Sequence, residues 1–224
     1  VKQVAKKALD LEDDPDFPNK LSDLKFVSNL GGSTGAKLME DPATGDKFVV
    51  KGGSSKEHIE EEFLAHQMYE ELGINVPLAR LYDEGSKTPS MVSQYMENTE
   101  NANAILDDNL KSEIMQNYVA DCLLANWDIY CNDNILVNKD DGLVYRVDNG
   151  GSLRYSATGR DKGEEFTEDV DELDSMIAQN MTMTAGLTQE DINDQIKFVL
   201  KKEKAIIKLI SDNDLKVKMK KRFF

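Results

Sequence analysis

The chain has 224 residues, with 42 Asp or Glu against 27 Lys or Arg, a formal charge of −15. That excess favours solubility and argues against nucleic acid or an anionic membrane as the main partner. No run approaches the ~20 apolar residues of a spanning helix, and the two cysteines and two histidines (Cys122, Cys131, His58, His66) form no zinc or disulfide pattern.

Residues 1–23 are charged and broken by Asp13-Asp14-Pro15-Asp16 and Pro18, so they are expected to be an extension outside the core. Their first residues lack the apolar run of a secretory leader, and a cytoplasmic chain is expected. Strands are predicted over 24–30 and 37–40, joined through Gly31-Gly32-Ser33-Thr34-Gly35. Turn residues 41–46 lead to a third strand over 47–51.

Ser55 is placed to cap a helix over 56–72, stopped by Gly73. On that helix Glu62 shares a face with Ala65, Tyr69 and Leu72. A carboxylate on such a face calls for a cationic partner. Glu60 and Glu61 stand beside it, so helix phase alone selects Glu62. Two more strands are predicted over 76–82 and 91–96, and the polar stretch 97–103 reads as a connector. Residues 24–97 and 98–224 are thus expected to be a small and a large lobe.

A second helix is predicted over 111–125, burying Ile114, Tyr118, Val119, Cys122 and Leu123. It leads into the loop 126–134, followed by strands over 135–137 and 143–147. Helices are expected over 168–179 and beyond Thr188-Gln189-Glu190-Asp191, which has the form of a capping box and precedes Ile192, Ile196, Val199 and Leu200. The cations Lys216, Lys218, Lys220, Lys221 and Arg222 are expected on the solvated face of a terminal helix.

The glycine-rich turn lies between two strands, which rejects the phosphate loops that open a helix. A bare hairpin tip can still fold backbone N–H groups over phosphates, and Ser33 and Thr34 add hydroxyls. Lys51 ends a half-buried strand, where it can reach α- and β-phosphates with Glu62 holding it. Asn126-Trp127-Asp128, Asn134 and Asp148-Asn149-Gly150 supply a carboxylate to orient an attacking hydroxyl, and an amide and a second carboxylate as hard oxygen ligands for magnesium. Asp133 competes with Asp128, and Asn132 with Asn134. Asp128 is favoured because it ends the helix beside Trp127, read as a packing residue; Asn134 is favoured because it directly precedes an apolar strand.

The order of glycine hairpin, strand lysine, helix glutamate, connector, Asp/Asn loop and strand-end Asp-x-Gly resembles the protein-kinase-like fold over about residues 24–160. In detail it resembles the divergent branch of HipA-like kinases and phosphatidylinositol 3/4-kinase relatives. His-Arg-Asp is replaced by Asn126-Trp127-Asp128, Asp-Phe-Gly by Asp148-Asn149-Gly150, and no Ala-Pro-Glu follows. The resemblance implies an α+β, two-lobed architecture with a small antiparallel sheet plus one helix and then a mostly helical lobe. It implies that Gly31, Gly32, Ser33, Thr34, Gly35 and Lys51 contact the phosphates of ATP, with Glu62 paired to Lys51. Gln94, Tyr95 and Met96 would offer backbone groups to adenine. Asp128 would orient the acceptor hydroxyl, and Asn134 and Asp148 would bind Mg2+. Residues 150–160, with Arg154 and Arg160, would form the activation segment. The expected function is kinase activity on a protein Ser/Thr hydroxyl. Small-molecule or lipid acceptors, AMP transfer and a catalytically inactive nucleotide-binding module are the alternatives.

Overall fold

A computed structural model describes residues 16–32, 34–131 and 134–223. Residues 1–15, Ser33, Asn132, Asp133 and Phe224 lie outside the described residues. Strands β1 (Lys25–Gly31), β2 (Ala36–Glu40), β3 (Lys47–Lys51), β4 (Ala79–Tyr82) and β5 (Ser90–Gln94) form one antiparallel sheet in the order β1-β2-β3-β5-β4. Lys51 closes β3 opposite Met91 at the sheet's centre. β4 starts later than the predicted strand because Pro77 has no N–H to give a ladder, while the Pro77 carbonyl meets His66 at 2.6 Å.

Helix α1 (Lys56–Glu71) is capped by Ser55, whose side chain accepts from the His58 N–H. One side of it buries Ile59 with Leu81 and Met91 of the sheet. The other side sends Ala65, Met68, Tyr69 and Leu72 into the main core of the helical remainder. Leu24, Phe48, Tyr82 and Val92 form a separate small cluster on the sheet. α1 therefore fixes the sheet to the rest of the molecule through apolar burial, the dominant favourable term in packing.

The connector departs from expectation. Its residues Thr99–Asn101 form β6, which pairs with β7 (Ile135–Asn138), and β7 pairs with β8 (Val144–Arg146). The predicted single helix is also two: α2 (Asp108–Met115) and α3 (Tyr118–Leu123). No Gly or Pro marks the break. A remote amide satisfies it instead: Gln195 donates to the Met115 carbonyl at 2.8 Å and accepts from the Val119 N–H at 3.0 Å.

α4 (Glu172–Gln179), α5 (Gln189–Leu209) and α6 (Asn213–Arg222) complete the chain. Thr188 and Asp191 make the expected capping box on α5. Leu200, expected on its buried face, is 43 % exposed. Arg222, expected in solvent, is buried and donates to the carbonyls of Cys122 and Leu123 at the end of α3 and to Glu172. A cation at a helix carboxyl end meets both orphan carbonyls and the helix dipole. Among the described residues no helix is long and apolar enough to cross a membrane.

Candidate active site

The cleft between the five-stranded sheet and the helical part encloses about 760 Å³. Gly31, Gly32, Lys51 and Glu62 line one side, and Asp128, Asn134 and Asp148 the other. Gln94, Tyr95 and Met96 close its back. Thr34 and Gly35 sit at the hairpin tip and do not line it. Gly31 and Gly32 adopt φ of +84° and +78°, and a Cβ on either would meet nothing. Backbone conformation, not crowding, selects glycine there.

Lys51 is the hub. Its ammonium lies 2.9 Å from Glu62 Oε1 and 2.8 Å from Asp148 Oδ1. Burial opposes the Lys51 charge, but Glu62 and Asp148 outweigh it and hold the group above the ordinary lysine range. Glu62 is 2 % exposed and its Oε2 has no hydrogen-bond partner. Such a buried, half-satisfied carboxylate is costly away from a site that uses it.

Asp128 follows the end of α3. Asn134 donates through Nδ2 to the Asp128 carbonyl at 2.9 Å and to its Oδ2 at 3.3 Å. The Oδ1 of Asp128 is buried without a hydrogen-bond partner. Burial and then the neighbouring Asp148 push the Asp128 carboxyl above its ordinary range, which makes it a stronger base. Asp148 takes the left-handed φ of +53°, as do Ala125 (+49°) and Leu153 (+54°). Asp148 lines the cleft, while Ala125 and Leu153 are buried a few residues from Asp128 and Asp148 in the chain, and such strain persists where surrounding structure enforces it.

A buried network supplies the enforcement beneath the loop. Asp121 accepts from Tyr69 at 2.9 Å, Tyr130 at 2.8 Å and Arg146 at 2.9 Å. Asn126 donates to the Tyr69 hydroxyl at 3.0 Å, and Arg146 donates to the Ile114 carbonyl at 2.9 Å, next to the break after α2. Burial works against the Arg146 charge, but Asp121 more than compensates.

The first turns of α1 clasp the segment after Asp148. Ser54 N–H donates to His58 Nδ1 at 3.2 Å, which leaves His58 Nε2–H to donate to the Gly150 carbonyl at 2.9 Å. Ser54 Oγ donates to the Thr158 carbonyl at 2.8 Å. Glu61 takes the Arg154 guanidinium and, at 3.0 Å, its backbone N–H. Arg154 is thus tied to α1 and to Asp212, whereas Arg160 forms an exposed pair with Glu165. Glu61 and Glu62 share the work: one holds the segment and the other holds Lys51.

Sequence reasoning missed four participants: Asp121, Arg146, His58 and Lys162. Asp121 and Arg146 lie within otherwise apolar runs, and a charge there signals a buried partner. Trp127 donates to Glu172 at 3.1 Å and stacks under the Lys162 ammonium at 4.2 Å. Lys162 itself lies in a polar stretch that carried no signal.

The donor set suits a nucleotide with a hard cation. Among the described residues no three or more His, Cys, Asp or Glu side chains are grouped to hold a metal unaided. Asp148 and Asn134 offer two oxygen donors, as befits an ion that takes its other ligands from phosphate and water.

No protein-family model matches the chain, and no curated protein matches it by sequence. Among solved structures it is similar to the Helicobacter pylori proinflammatory kinase CtkA, with 13 % identity, a TM-score of 0.54, and coverage of 88 % of this chain and 91 % of that one. A second match, to the kinase PK-1 of Cydia pomonella granulovirus, has 15 % identity, a TM-score of 0.41, and coverage of 59 % of this chain and 53 % of that one. The chain has an α+β kinase-like fold: a small antiparallel sheet with one helix against it, and a mostly helical remainder.

Proposed function

We propose that the chain is an ATP- and magnesium-dependent phosphotransferase acting on a protein Ser/Thr hydroxyl, on a fold divided near residue 97 into two lobes. The single observation that supports this most is Lys51 held between Glu62 and Asp148 in the cleft that Asp128 and Asn134 also line. Phosphoryl transfer asks mainly for positioning and charge stabilisation, and these side chains offer both. Lys51 meets the phosphates while Glu62 keeps it aimed. Magnesium, held by Asp148 and Asn134, would neutralise charge developing on the transferred group. Asp128 takes the hydroxyl proton, its basicity raised by burial.

The Gln94 N–H donates to the Leu78 carbonyl and the Tyr95 N–H to that of Lys47, both at 2.9 Å. Met96 is therefore the hinge residue whose N–H is assigned to adenine. The Asn126-Trp127-Asp128 and Asp148-Asn149-Gly150 replacements favour the HipA-like and phosphatidylinositol-kinase-like branch, and a cytoplasmic location belongs to the same reading.

The test is turnover of γ-labelled ATP with magnesium and a cell lysate as acceptor. Label should enter protein and disappear in Asp128→Ala and Asp148→Ala. Intact mass distinguishes added phosphate, about 80 Da, from added AMP, about 329 Da. Unchanged turnover in both variants removes the site assignment, and nucleotide binding without turnover removes the enzyme.

A further inference from the structure

We infer that Lys162 is a positioning residue for this reaction: its ammonium ties the loop carrying Asp128 to the segment following Asp148, and thereby aims the Asp128 carboxylate. The inference deepens the phosphoryl-transfer reading and rests on it.

Lys162 is 2 % exposed. Its Nζ donates to the Ala125 carbonyl at 2.6 Å and to the Gly151 carbonyl at 2.8 Å, and lies 4.2 Å from the centre of the Trp127 ring. An ammonium has three donors, and two carbonyls and a π-face occupy its surroundings. The two carbonyls belong to different elements. Ala125 immediately precedes Asn126-Trp127-Asp128 and is held at a left-handed φ of +49°. Gly151 lies against Asp128 itself, since a Cβ built on it would fall well inside 3.0 Å of Asp128 Oδ1. The Lys162 N–H is anchored in turn on the Arg154 carbonyl at 2.7 Å, and Leu153 N–H meets the Leu124 carbonyl at 2.7 Å as a second tie between the same two stretches.

A buried lysine held mainly by neutral carbonyls is a poor source of net stability, because its desolvation is large. What the geometry does provide is registration. Without Lys162, the Ala125 and Gly151 carbonyls lose this shared donor, and Gly151 is held against the Asp128 carboxylate only through its neighbours, by Leu153 on the Leu124 carbonyl and His58 on the Gly150 carbonyl. The charges that bear on the ammonium are Asp128, Glu172 and Glu61, with Arg222 opposing. Asp128 in turn experiences Asp148, Lys162 and the Asn134 amide. Removing Lys162 thus takes a positive charge from the vicinity of the proposed base.

The experiment compares the full chain with Lys162→Met, with Lys162→Gln, which keeps amide donors for the two carbonyls, and, as a stability control, with Ile206→Ala, a truncation in the main core on α5. Steady-state ATP turnover is measured alongside nucleotide affinity, thermal unfolding and amide hydrogen exchange of the backbone around Ala125 and Asp128. In Lys162→Met, kcat should fall by about tenfold or more with KM for ATP within about twofold, and exchange around Ala125 should quicken. Lys162→Gln should recover part of both. Ile206→Ala should lose stability with kcat unchanged below its melting temperature. An unchanged kcat in folded Lys162→Met, or an equal fall in Ile206→Ala, overturns the inference. Absence of ATP turnover in the unaltered chain would remove the phosphoryl-transfer reading, while hydrogen exchange would still decide whether Lys162 holds the loop that carries Asp128. Should Lys162→Met not fold, Lys162→Gln carries the same comparison, and exchange and kcat equal to those of Ile206→Ala would overturn the inference.

Discussion

Gly151 and Asp128 are mutually exclusive neighbours: the place a side chain would take on Gly151 is filled by the Asp128 carboxylate, whose Oδ1 lies well under 3.0 Å from where a Cβ would stand. Gly151→Ala should therefore displace the carboxylate without touching Lys51 or Glu62. Misplacing a catalytic group by about 1 Å costs on the order of 10²-fold in rate. We expect kcat to fall by at least that factor while nucleotide affinity stays within a few-fold. Steady-state kinetics and a nucleotide titration check it, and a Gly151→Ala variant with ordinary turnover would mean that Asp128 needs no fixed orientation.

The Lys51–Glu62 pair separates stability from activity. Lys51→Met leaves Glu62, buried at 2 % exposure, without its counter-charge. The variant should lose both stability and, by the loss of a charged donor, about 10²–10³-fold in turnover. Adding Glu62→Gln to Lys51→Met should recover much of the melting temperature and none of the turnover. Parallel melting curves and ATP assays measure the two effects. Recovery of both together would make the pair structural only.

Asp128 should be a residue that weakens the fold. Burial and Asp148 raise its carboxyl above the ordinary aspartate value of 3.8. A raised folded-state value favours the protonated form. Its contribution to stability is complete below pH 3.8 and is lost as pH rises through the folded-state value. At neutral pH the folded protein carries an ionised group that its surroundings disfavour. Asp128→Asn, of the same shape and uncharged, should melt higher than the unaltered chain at pH 7, with the gain vanishing below about pH 4. Turnover should be lost. A lower melting temperature at pH 7 would contradict the assigned direction.

The parts of this molecule that were legible in the sequence are those built from local chemistry. β3 ends at Lys51 as its pattern and the following glycines require, and α1 starts at the Ser55 cap. Glu62 could be picked from three consecutive glutamates because helix phase put it beside Ala65 and Tyr69, although Glu61 turned out to hold Arg154. The break between α2 and α3 was not legible, since nothing in 111–125 forbids a continuous helix; Gln195, far along the chain, makes the break tolerable. Nor was the burial of Arg222 or Lys162. A lysine in a polar stretch looks solvated until the carbonyls that capture it are known. Tertiary satisfaction of backbone groups, not local propensity, decided each of these.

Asp121 is the keystone of the buried network under the loop. It accepts from Tyr69, Tyr130 and Arg146, and both it and Arg146 are fully buried. Removing one partner of a buried ion pair strands the other charge, at about 3–5 kcal/mol. Asp121→Ala should lose that much in urea unfolding and loosen Asn126, which hangs from the Tyr69 hydroxyl. A loss under about 1 kcal/mol, the range of an exposed pair, would mean that the Arg146 charge finds water or another acceptor.

Lys162 gives stability a pH signature of its own. Burial, only partly offset by Glu172 and Asp128, lowers its ammonium from 10.5 to about 7. Between those values the unfolded chain holds a proton that the folded chain has released, so stability rises with pH across the window. Above about 10.5 the burial penalty is absent, and below about 7 it is present in full. Lys51 adds no slope there, because its raised value places its loss above the ordinary lysine range. Urea unfolding at a series of pH values should therefore show a climb from pH 7 to 10 that Lys162→Met flattens, while Lys51→Met leaves the climb in place. An identical climb in all three proteins would assign it to another group and return Lys162 to an ordinary ammonium.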